Sequence, residues 1–104
     1  MMHETVLPAK SSALAIADVS NYAIHLMHTG RSSLSVHLSE GQTKLAQLLS
    51  QIAEGIDPAK VWNAAVEIAS YCVVVGEMAH YTWLKHDELV ASEVEVVVKR
   101  LCCK

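Results

Sequence analysis

The stretch 57–85 constrains this chain more than any other, because it carries clear helix-start signals and is then apolar over most of its circumference. The Asp57 carboxylate is placed to accept from the free amides of a first helical turn. Pro58 follows at the first helical position, where its missing N–H costs nothing and its φ is already helical. Ile56 and Val61 have the spacing of a hydrophobic staple. A helix over 58–85 would be ~42 Å long at ~1.5 Å per residue. At ~100° per residue, Lys60, Asn63, Glu67, Ser70 and Glu77 fall on one polar stripe that Val74 and Tyr81 interrupt. The rest is apolar, including Trp62, Val66, Ile68, Cys72, Val73, Val75, Met78 and Trp83. A surface helix needs an apolar face only a little over ~100° wide. This one has to be covered on several sides. It does not read as a membrane span, since Glu67 and Glu77 fall inside any apolar window of ~20 residues.

The flanking segments suggest what covers it. Residues 1–10 read as a flexible lead-in, with Pro8 stopping an earlier helix from running through. Ser11 or Ser12 caps a first helix that Gly30 ends. On that helix Asp18, Asn21, His25 and His28 make a narrow polar stripe, and Ile16, Val19, Tyr22, Ala23, Ile24, Leu26 and Met27 fill most of the remaining arc. A second helix over 33–54 carries one seam, Leu34, Leu38, Gly41, Leu45, Leu48 and Ile52, with Gly41 as a point of close helix approach. Ser39 with Gln42 resembles a capping box and offers a later start. Its outer face, Glu40, Lys44, Gln47, Gln51 and Glu54, is solvated, and Gly55 ends it. Over 87–102 three readings compete. One is a separate helix with Val90, Val94, Val97 and Leu101 on one face, another is a continuation of the central helix, and the third is a strand built on the alternation at 93–96.

The fold class is therefore all-α: an up-and-down bundle of three to four helices with a long central helix, in a single helical domain over 11–104. A hydrophobic fraction of 52% argues against disorder, and the core is expected to be Leu, Val, Ala and Ile with the two Trp residues. Because the first and central helices carry more apolar surface than one-sided packing hides, the expected solution is a homo-oligomer, a two-fold dimer first. The net charge of −3 has no Lys/Arg cluster behind it, so neither nucleic acid nor an anionic membrane is an expected partner. The opening residues show no apolar signal core, and the default compartment is cytoplasmic.

Candidate chemistry is sparse. Cys72 reads as a buried thiol, and the adjacent Cys102 and Cys103 are too few for a closed zinc site. Glu77-x-x-His80 and His25-x-x-His28 have the spacing that puts two ligands on one helix face, so His25, His28, Glu77 and His80 form the alternative reading of a metal-binding bundle, with His86 as an extra ligand. The bland reading makes them solvated pairs near helix ends. No phosphate loop, nucleophile elbow or zinc-protease motif occurs, and no cofactor is implied. The leading expectation is a non-enzymatic protein acting by self-association and protein–protein interaction, as a regulatory, adaptor or inhibitor module. The surfaces nominated for a protein partner are Asp18, Asn21, His25 and His28 on the first helix and Tyr81 and Trp83 near the end of the central one.

Overall fold

In the computed structural model of the protein, the backbone is described for residues 3–29, 34–77 and 85–102, and side chains for 15–29, 39–77 and 85–102. Among the described residues there are four helices: α1 (His3–Thr29), α2 (Leu34–Ile52), α3 (Pro58–Glu77) and α4 (His86–Cys102). Among the described residues there is no strand. The fold is an all-α bundle.

The start of α3 forms as its residues dictate. Asp57 Oδ1 accepts the Ala59 amide at 3.0 Å, and the Asp57 carbonyl accepts the amides of Lys60 and Val61 at 2.9 and 3.2 Å. Val61 is buried and Ile56 packs against the core. Gly55 has a φ of 84°, the left-handed conformation that lets the chain leave α2 and enter this cap at once.

Several boundaries differ from those read in the sequence. Helix α1 begins at His3, ahead of the cap expected at Ser11 or Ser12. Pro8 lies inside it rather than stopping it, at the cost of the bond its missing N–H would make to the carbonyl four residues back. Helix α2 begins at Leu34, so Ser39 lies inside it and makes no capping box. Helix α4 is a separate helix folded back on α3, neither its continuation nor a strand: Arg100 near its end reaches Glu67 in the first half of α3. The continuation of α3 expected over 78–84 lies outside the described residues.

The core gathers around α3, which touches all three other helices. Ile68, Ala65, Ala69, Cys72 and Val75 of α3 lie among Val19, Ala23 and Met27 of α1, Leu45 and Leu49 of α2, and Val90, Val94 and Val97 of α4, all buried. Close approach is set by small residues. Gly76 faces α1 so tightly that a Cβ there would lie 3.1 Å from the Met27 carbonyl oxygen. A Cβ at Gly41 would lie 2.6 Å from Leu26 Cδ2, as its place on the α2 seam foretells. The Cys72 thiol donates to the Ala23 carbonyl at 3.3 Å, a second α1–α3 contact.

This packing changes the accounting of apolar surface. Among the described residues the exposed large hydrophobic side chains are Trp62, Val74 and Val96, at 42%, 55% and 56% exposure. Among the described residues, the buried side chains of α1 and α3 pack on one another and on α2 and α4. Trp62, expected in the core, is on the surface. Leu49, absent from the expected α2 seam, is fully buried.

Candidate interaction site

The polar stripe of α3 is where expected: Lys60, Asn63, Glu67, Ser70, Val74 and Glu77 are all exposed. What the sequence could not show is its neighbour. Between this stripe and α4 runs an open groove of about 280 Å³, lined by Lys60, Asn63, Ala64 and Glu67 from α3 and by Val97, Arg100 and Leu101 from α4. Its floor is apolar, since Ala64 and Val97 are buried and Leu101 is partly so. Its rim is charged.

On that rim Arg100 Nη2 donates to both carboxylate oxygens of Glu67, at 2.8 and 2.7 Å. The two side chains are 60% and 45% exposed, so the pair is screened by water and joins the helices only weakly. One nitrogen serves both oxygens, which leaves Nη1 and Nε of the guanidinium for other acceptors. Glu93 sits beside the pair. Its carboxyl is held above the usual carboxylate range by partial burial first, then by the charge of Glu67 and a hydrogen bond to it, with the Arg100 charge opposing. The hydrogen bond to Glu67 likewise raises Arg100 above its ordinary value.

The residues nominated from sequence are placed elsewhere. Asp18, Asn21, His25 and His28 form an exposed stripe on α1, as their spacing requires. His28 Nε2 lies 2.9 Å from Asp87 Oδ1, linking the end of α1 to the start of α4. His25 instead makes a tilted ring contact with Tyr22, with centroids 6.1 Å apart at 42°. Glu77 is exposed at the end of α3, and His86, considered as an extra ligand, is buried. Among the described residues no three His, Cys, Asp or Glu side chains gather closely enough to hold a metal ion. His80, Tyr81 and Trp83 lie outside the described residues.

Among the described residues, the buried thiol of Cys72 is inert by its surroundings. Burial pushes the Cys72 thiol up to about 12, and its hydrogen points at the Ala23 carbonyl, so the thiolate is scarce near neutral pH. Cys102 is partly buried against the core, and Cys103 lies outside the described residues. No described helix is long and apolar enough to cross a membrane. No family model, curated protein or solved structure matches the chain.

Sequence reasoning missed the groove because its parts are far apart in the chain. Glu67 and Arg100 are separated by 33 residues, and no periodicity within either helix announces the pairing. The available signal was the heptad spacing of Lys60 with Glu67 and of Glu93 with Arg100, each of which keeps two charges on one helix face.

Proposed function

We propose that the protein is a non-enzymatic helical module that acts by protein–protein contact, with the α3–α4 groove as its docking surface. The observation that carries this is the groove itself: an apolar floor between two helices, with a charged rim that includes an incompletely used guanidinium. Apolar floors with polar rims are the anatomy of protein docking sites.

The same reading takes the bundle in up-and-down order. The contacts Leu26–Gly41, Ala23–Cys72, Glu67–Arg100 and His28–Asp87 are those that such an order brings together. It also narrows the homodimer. Among the described residues, the exposed large apolar side chains that a second copy could cover are Trp62, Val74 and Val96. A stable interface needs upward of about 1,000 Å² in total with good complementarity. On this reading self-association is weak and confined to high concentration.

Selection of peptides from a displayed library, followed by amide chemical-shift mapping on the isotope-labelled protein, tests the site. Selected peptides are expected to move the amides of 60–67 and 97–101, and to lose binding when the exposed Asn63 is replaced in Asn63→Trp. Peptides that map instead to Asp18, Asn21, His25 and His28 would move the site to α1.

A further inference from the structure

The helices of the bundle are not equally bound into it. Among the described residues α1 and α3 touch each other and both flanking helices, whereas α2 and α4 scarcely meet. Ala23–Cys72 and Met27–Gly76 join α1 to α3, and Leu26–Gly41 joins α1 to α2. None of these contacts involves α4. Helix α4 covers one side of an α1–α3 pair that α2 holds from another, and its departure leaves those three contacts in place.

We propose that the α1–α3 face beneath α4 is a second docking site, kept closed by α4 itself, and that its occupant is a partner's amphipathic helix of the chemistry α4 displays. The seat defines that chemistry. Val90, Val94, Val97 and Val98 are buried on it, so it takes short branched side chains at spacings of four and three residues. Its two ends differ. His28 meets Asp87 in the first turn of α4, and Glu67 meets Arg100 in the last. An incoming helix is therefore read in one direction, with an acidic first turn on His28 and a basic last turn on Glu67, an arrangement that also suits its own dipole. This site is distinct from the α3–α4 groove and does not depend on it.

Helix α4 holds the seat with little to spare. Five of its residues, Val90, Val94, Val96, Val97 and Val98, are β-branched and lose side-chain freedom in a helix. Its form rests on packing more than on propensity. The pairs Asp87–His28 and Arg100–Glu67 are exposed on both sides and add little. His86, buried at its start, is a further anchor. An external helix has to displace α4, so its apparent affinity is reduced by the fraction of chains that are open. Weakening α4 should therefore strengthen binding, the reverse of what damage to a docking surface does.

The test uses the isotope-labelled full chain and, as probe, a synthetic peptide of the α4 sequence 86–102, acetylated, amidated and carrying Cys102→Ser. Hydrogen exchange on the chain alone is expected to show the amides of 90–98 opening more readily, and with less urea dependence, than those of 45–49 and 65–72. The peptide is expected to shift amides of α1 and α3 and to move those of the chain's own α4 to unfolded positions. Val94→Ala in the chain removes two buried carbons from the seat and should tighten peptide binding about tenfold. Arg100→Gln, at an exposed position, should tighten it about twofold. A control peptide with Val94→Asp and Val97→Asp should not bind. One common opening for 45–49, 65–72 and 90–98 overturns the proposal, whatever the variants do. Peptide binding that leaves the chain's own α4 amides unmoved, or that Val94→Ala weakens, overturns it too, as does failure of the peptide to bind the native chain and both variants.

Discussion

Helix α2 offers a sharp test of the packing on which the groove depends, because two adjacent leucines differ in burial. Leu49 is fully buried at 0% exposure, whereas Leu48 is only partly buried at the edge of the core. Truncation of Leu49 to Ala withdraws three carbons from the core, about 2.4 kcal/mol at ~0.8 kcal/mol each. The cavity left between α2 and its neighbours adds to this, so the expected loss is about 3 kcal/mol or more. Leu48→Ala removes the same atoms from a partly exposed site at the core's edge and should cost about 1–1.5 kcal/mol. Against a total stability of ~5–15 kcal/mol for a domain of this size, the first is severe and the second mild. Urea denaturation followed by far-UV circular dichroism measures both, and in thermal melts the Leu49 variant should fall by about 10–20 °C. A Leu48→Ala variant as destabilised as Leu49→Ala would refute the burial pattern, and with it the placement of α3 against α2.

Three further outcomes follow from individual side chains. Asp57→Ala removes the acceptor of the Ala59 amide and should destabilise the protein by about 1 kcal/mol in the same urea assay, a loss that Asp57→Asn would largely restore. Cys72 should resist iodoacetamide in the native protein at mildly alkaline pH, while Cys102 is modified; mass spectrometry that finds Cys72 labelled at the same rate would contradict its burial and its raised thiol. Glu93 is held above its ordinary value of 4.5, so the folded state prefers it protonated. Its contribution is favourable below that value and is lost as pH rises through the folded-state value. Glu93→Gln should therefore raise the melting temperature near neutral pH and give no gain below about pH 4, and an equal gain at both would show that ionisation is not the cause.

Local signals were the legible part of this chain. The Asp57-Pro58 start and the Gly55 turn form as their chemistry requires, and the solvated face of α2 and the Val90, Val94, Val97 face of α4 are where periodicity put them. The misreadings came from counting neighbours. Helix α2 touches both α1 and α3, so its buried arc is wider than one seam and takes in Leu49 and Ala53 as well as Gly41 and Leu45. Helix α3 reads as apolar over most of its circumference, and much of its buried face is Ala64, Ala65, Ala69, Cys72 and Gly76. Such small residues count as apolar positions on a helical wheel, but they present little area and admit neighbours closely on several sides. The candidate site was least legible of all, because a groove between α3 and α4 exists only once Glu67 and Arg100 are brought together across the helix pair.

The claim beneath these expectations is that the chain buries its own core and leaves the α3–α4 face free to meet another protein. Sedimentation velocity at low micromolar concentration in physiological salt tests it most directly. The expected result is one species at the 11.3 kDa mass of the chain, with association appearing only as concentration is raised. A species of twice that mass at the lowest concentration, whose interface includes Val74, Val96 and the groove, would contradict it.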